Sequence, residues 1–190
     1  WALDRLSRSS GAQTPPAKVD RLGGAAWQAR KAKVKKRLLE MADALIKTAA
    51  ERAQRTRPPY QKPEGLYDEF CAGFPYIPTP EQQQAIDDVE ADLLSQQPMD
   101  RLVVGDVGFG KTEVALRAAF VAAADGRQVA VVVPTTLLAR QHYLEFKRRF
   151  AGMPITVAGL SRLTPTGEAK KVREGLKKGN VDIVVGTHAV

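Results

Sequence analysis

The spacing of apolar residues changes character along the chain. Between residues 25 and 55, Trp27, Val34, Leu38, Met41 and Leu45 recur at steps of three, four and seven, and Ala49 and Ala53 extend the stripe. That periodicity predicts one long amphipathic helix, and Arg57-Pro58-Pro59 ends it. Residues 60–80 are rich in aromatics and proline, which predicts an ordered loop with one short helix over 64–71. Thr79-Pro80-Glu81-Gln82 has the form of a helix start, with Thr79 as cap and Pro80 at the first position. The helix it opens runs to about Ser95, with Ile86, Val89 and Leu93 on its apolar side.

Beyond residue 100 short apolar runs alternate with helical stretches. Strands are predicted at 102–104, 128–133, 155–160 and 181–185, and helices at 112–124, 137–150 and 166–178. The 128–133 run is apolar throughout, as in a strand buried on both faces. This rhythm predicts an α/β fold with a parallel sheet and right-handed crossovers. Ligands of such sheets sit beyond the carboxyl ends of the strands. The Gly105–Thr112 loop, Thr135-Thr136, Ser161-Arg162 and Thr187-His188 each follow a strand end and should line one edge of the sheet.

Residues 1–24 read as a tail and linker, with Leu3, Leu6 and Leu22 as candidate anchors. The expected organisation is therefore a tail over 1–24, a connecting helix over 25–57 and an α/β lobe over 58–190. Trp1 is no natural start, so the chain is expected to be part of a longer one.

Charge adds a candidate partner. The net charge is +8, which favours an anionic partner such as nucleic acid or nucleotide. Much of the excess sits in Arg30, Lys31, Lys33, Lys35, Lys36 and Arg37. That cluster is read either as a solvated helix face or as a contact for nucleic acid or an acidic protein surface. The single cysteine, Cys71, leaves no internal disulfide and no cysteine metal site. It is expected to be a small core residue. Without an apolar run long enough to span a membrane, the expected location is cytoplasmic.

The sharpest chemistry lies at Gly105 to Thr112, Gly-Asp-Val-Gly-Phe-Gly-Lys-Thr, which fits the phosphate-loop pattern G-x-x-x-x-G-K-[ST]. Glycines let the backbone approach a phosphate closely, and loop N–H groups at a helix N-terminus point at anionic oxygens. Lys111 would reach the β and γ phosphates, and the Thr112 hydroxyl would ligate Mg²⁺. Phosphoryl chemistry also requires an acidic residue closing an apolar strand. None is found: Asp182 stands at the start of its strand, not at its end, and Asp87-Asp88 lies in a helix. The chain by itself is thus expected to bind a nucleotide without hydrolysing it. His142 and His188 lack the paired acid of a metal site and read as structural.

Several stretches together resemble one family. These are Phe74–Gln82, Met99–Ala115, Val133–His142, Ser161-Arg162 and Gly186-Thr187-His188. They are similar to the ordered motifs of superfamily 2 DNA motors, the group of the bacterial transcription-repair coupling factors and the RecG-type branch-migration helicases. Phe109-Gly-Lys-Thr-Glu113 and Leu22-Gly-Gly-x-x-Trp27 resemble the coupling factors more than the RecG type.

The resemblance implies part of the first RecA-like P-loop NTPase lobe, preceded by a connecting helix and the end of a polymerase-interacting module. It implies ATP and Mg²⁺ as cofactors. Phe74, Tyr76 and Gln82 would meet the adenine, and Gly105, Asp106, Val107, Gly108, Phe109, Gly110, Lys111, Thr112 and Glu113 would hold the phosphates and metal. Thr135, Thr136, Arg140, Ser161, Arg162 and Thr187 would touch the DNA backbone, although Thr135 and Ser161 equally suit capping roles. The implied partners are double-stranded DNA, RNA polymerase and, through regions outside this chain, the excision repair protein UvrA. The implied activity is ATP-driven DNA translocation that displaces stalled polymerase. A branched-DNA helicase and a non-catalytic interaction segment are the alternatives.

Overall fold

The computed structural model describes residues 24–188, so expectations for 1–23 lie outside the described residues. The chain divides into two units, Trp1–Gln54 and Arg55–Val190. The described part of the first is one helix, Ala25–Ala53 (α1). Its stripe forms as the periodicity predicts, yet none of its residues is buried. Leu38, Met41, Leu45 and Ile46 are all more than half exposed.

The second unit contains helices Glu64–Ala72 (α2), Pro80–Leu93 (α3) and Lys111–Ala124 (α4), then strand Val129–Val132 (β1) and helix Thr136–Arg149 (α5). Strand Val157–Leu160 (β2), helix Thr166–Lys178 (α6) and strand Ile183–Gly186 (β3) follow. The sheet is parallel, in the order β1-β3-β2. Val132, Gly186 and Leu160 stand level at the carboxyl ends.

Local chemistry explains the helix starts. Thr79 and Gln82 form a reciprocal capping box on α3: the Gln82 N–H donates to Thr79 Oγ1 and the Thr79 N–H donates to Gln82 Oε1. On α5, Thr135 Oγ1 accepts the Leu138 N–H.

The core divides across the central strand. Ile183 and Val185 face a cluster containing Phe120 of α4, Phe146 of α5, Phe70 of α2 and Ile86 of α3. Val184 faces the other way, to Leu160 and to Ala169 and Val172 of α6. Every residue of β3 is buried, as period-two alternation requires when both faces are covered. In the larger cluster Phe70 stacks on Phe120 with centroids 4.6 Å apart, and Phe150 lies 4.9 Å from Phe70.

Two strand expectations are corrected. Residues 102–104 form no strand. A strand exists only where a neighbour takes its N–H and C=O groups, and no described strand borders this segment. Val103 packs on the core while Leu102 and Val104 are 86% and 83% exposed. β1 is not buried on both faces either: its residues alternate between half-buried and exposed, and Val132 is 56% exposed. Among the described residues β1 pairs only with β3, so it stands at the edge of the described sheet, and its apolar composition does not reveal that position.

Phe120 is fully buried among Tyr67, Phe70 and Phe150. Phe120→Ala should destabilise the second unit by about 3–5 kcal/mol, read as a lower urea midpoint with an unchanged slope; a loss below about 1 kcal/mol would contradict this packing.

Candidate functional site

The loop Gly105–Thr112 runs into the N-terminus of α4, with Gly110 as N-cap at φ 73°. Gly108 also has positive φ, 87°. L-residues resist this left-handed conformation, so the glycines of the motif are where the backbone needs them. At Gly110 space is short as well: an added Cβ would lie 2.7 Å from Gln82 Nε2. That amide donates to the Phe109 carbonyl at 2.9 Å, fastening α3 to the loop. Among the described residues, the N–H groups of Gly108, Gly110, Lys111 and Thr112 carry no backbone hydrogen bond, as expected of donors at a helix N-terminus. The Lys111 ammonium donates to the Gly105 and Asp106 carbonyls, each at 2.6 Å, and so lies within the loop. A cradle of N–H donors, a lysine and a hydroxyl fits a nucleotide's phosphates and metal.

Cavities flank the loop. A larger one of about 710 Å³ is lined by Phe74, Tyr76, Gly110, Thr112 and Glu113, with His142 and Arg148 opposite. A smaller one of about 130 Å³ is lined by Gln82, Gly105, Phe109 and Lys111. The expected nucleotide residues are therefore split. Asp106, Val107 and Gly108 line neither cavity, and Val107 is almost fully exposed. Phe74 and Tyr76 meet edge-to-face with centroids 5.5 Å apart. Gln82, expected to meet adenine, uses its carbonyl oxygen on Thr79 and its amide on Phe109, so an adenine contact would draw on its remaining hydrogen and lone pair.

Glu113 was expected on the nucleotide. Its carboxylate is instead buried and paired: Arg117 Nε donates to Oε1 at 2.9 Å, and Arg149 donates through Nη1 to Oε2 at 2.5 Å and through Nη2 to Oε1 at 3.2 Å. A buried carboxylate is tolerable only when so paired. Burial opposes the Arg117 charge, yet the Glu113 hydrogen bond and neighbouring groups hold its pKa above the ordinary value. Arg117 and Arg149 were missed from sequence. The available signal was a Glu and an Arg four apart within an otherwise apolar helix.

The residues expected on DNA gather at the carboxyl edge. Thr135 and Thr136 follow β1, Ser161 and Arg162 follow β2, and Thr187 follows β3. Thr136, Arg140 and Ser161 line a cavity of about 300 Å³ there, and Arg140 and Arg162 are exposed. Thr135 caps α5, and Ser161 Oγ accepts the Leu163 N–H at 3.2 Å in a turn, so both local roles are present. Cys71 is half-buried beside the larger core cluster, and burial pushes its thiol pKa up.

A phosphate loop opening a buried helix beside a parallel sheet defines a RecA-like P-loop nucleotide-binding lobe. Residues 79–190 match the family model described as DEAD/DEAH box helicase, and the chain belongs to that family of helicase-type ATP-using domains. It is 46% identical over 183 residues to a transcription-repair-coupling factor of Myxococcus xanthus, covering 96% of this chain and 15% of that one. It is 44% identical over 186 residues to the transcription-repair-coupling factor of Bacillus subtilis, covering 98% and 16%. The chain thus spans about a sixth of the length of these relatives. The structure of RecG bound to a three-way DNA junction superposes with a TM-score of 0.71 at 38% identity, covering 77% of this chain and 20% of that one.

Gly110→Ala combines a left-handed φ with the Gln82 contact and should lower the unfolding free energy by roughly 1–2 kcal/mol. Gly65→Ala, in a helix with open space around it, should raise it by up to about 1 kcal/mol. Urea unfolding of both variants checks the opposite signs.

Proposed function

We propose that this chain forms the nucleotide-binding portion of the first motor lobe of an ATP-dependent double-stranded DNA translocase that couples transcription to repair. The observation that carries the reading is the phosphate loop at the N-terminus of α4, with Lys111 drawn into it. The identity to coupling factors over nearly the whole chain supports the choice among DNA motors. The RecG likeness supports a motor lobe shared by both kinds.

In this reading Lys111 leaves the Gly105 and Asp106 carbonyls and takes up the β and γ phosphates. The N–H groups of Gly108, Gly110, Lys111 and Thr112 would hold phosphate oxygens, and the Thr112 hydroxyl would hold Mg²⁺. Bound Mg²⁺ would neutralise charge developing on the phosphates. Phe74 and Tyr76 cover the adenine face, and Gln82 reports the base to the loop through the Phe109 carbonyl. Glu113 acts from behind, fixing α4 through its arginine pairs rather than touching nucleotide.

At the carboxyl edge Thr135, Thr136, Arg140, Ser161, Arg162 and Thr187 would grip phosphates of double-stranded DNA, positioning without reading sequence. RNA polymerase displacement and recruitment of UvrA-dependent excision repair, through surfaces outside this chain, complete the proposed role. Residues 1–24 would close a polymerase-interacting module, 25–57 would connect it to the motor, and 58–190 would belong to the lobe. A bacterial protein of this role acts in the cytoplasm.

Lys111→Ala in the intact protein should abolish ATP hydrolysis and polymerase displacement while leaving polymerase binding intact. Steady-state ATPase and a stalled-complex displacement assay read this, and full activity in the variant would overturn the motor reading.

A further inference from the structure

Arg149 ends α5 and is 8% exposed. Besides its two-pronged pair with Glu113, Nη2 donates to the Phe70 carbonyl at 3.3 Å. The guanidinium plane stands 4.8 Å from the Phe70 ring centroid and 5.6 Å from that of Phe74, both within cation–π range. Its Nε is buried with no hydrogen-bond partner. One side chain thus touches α4, the end of α2 and the aromatic loop. Phe74 itself lines the larger cavity with Gly110 and Thr112, and Glu113 is the residue after Thr112 in the chain.

We propose that Arg149 is a positioning residue for the base side of the nucleotide site: through Glu113 it fastens the Phe74 ring to the helix that carries the phosphate cradle. The proposal rests on the nucleotide reading above. Among the described residues, Phe74 also makes a backbone bond to the Cys71 carbonyl at 3.0 Å and meets the edge of Tyr76. Neither ties the ring to α4. Arg149 does, and its flat, forked group suits the task. Its Cζ sits within cation–π range of both rings while two N–H groups meet both carboxylate oxygens; a lysine ammonium keeps the charge and loses the plane and the fork. The residue acts on the base end of a ligand and leaves the phosphate end to the loop.

The test compares ADP with inorganic tripolyphosphate, which has phosphates and no base. Binding of each is measured by calorimetry on the intact protein, unmodified and as Arg149→Lys, Phe74→Leu and the double variant. Arg149→Lys should weaken ADP about tenfold and leave tripolyphosphate within about twofold. The double variant should bind ADP no more weakly than Phe74→Leu alone, because both changes remove the same contact. Parallel loss of both probes in Arg149→Lys, or additive loss of ADP in the double variant, would overturn the proposal. If Arg149→Lys does not fold, Arg149→Met replaces it, since Glu113 keeps its Arg117 partner; the same selective loss supports the proposal and a parallel loss overturns it. Failure of the unmodified protein to bind either probe would overturn the nucleotide reading and this proposal with it.

Discussion

A buried carboxylate organises the second unit. Glu113 lies two positions past the loop lysine, on a helix otherwise packed with Val, Leu, Ala and Phe. Charge in such a place is retained only when paired and hydrogen-bonded. The pairing fixes more than the charge. Arg117 meets it from one turn further along α4, and Arg149 meets it from the far end of α5. The end of α5 is thereby held against α4 and α2. Phe146 and Phe150, on either side of Arg149 in sequence, extend the aromatic layer with Phe70 and Phe120. α4 is held from behind by this assembly at the turn that carries Glu113 and Arg117.

The parallel sheet makes a second surface by geometry alone. Because Val132, Gly186 and Leu160 end in register, the segments after them emerge along one line. Hydroxyls and arginines from three distant stretches of sequence then meet on one edge. The loop is built on α3 and α4 and the edge on the sheet and α5, and Lys111 shares a cavity of about 580 Å³ with Val132 at the carboxyl end of β1. The start of α5 and its end belong to different regions, since Thr136 and Arg140 line the edge cavity while Arg148 and Arg149 line the larger cavity beside the loop. One helix, α5, therefore contributes residues to both regions.

Most of the helices were legible because their signals are local. Thr79-Pro80 and Gln82 spell a cap within four residues, and the box forms; the span 166–178 appears as a helix over those residues. The strand expectations held where a partner exists and failed where none is described. Leu102-Val103-Val104 and the 129–132 run look alike in composition, yet only the second finds a neighbour in β3. Alternating exposure in β1 follows from its edge position, which composition does not encode.

The sequence by itself determined the phosphate loop, the α/β order and the family motifs, because each is written in contiguous residues at fixed spacing. Only the tertiary structure decided which of those residues share a cavity. Glu113, the residue directly after the loop motif, is buried against two arginines, one of them 36 positions away. Gln82 is bound to the Phe109 carbonyl because α3 packs beside the loop. Such partnerships depend on which elements become neighbours, and that is set by how apolar faces are buried together rather than by any local pattern.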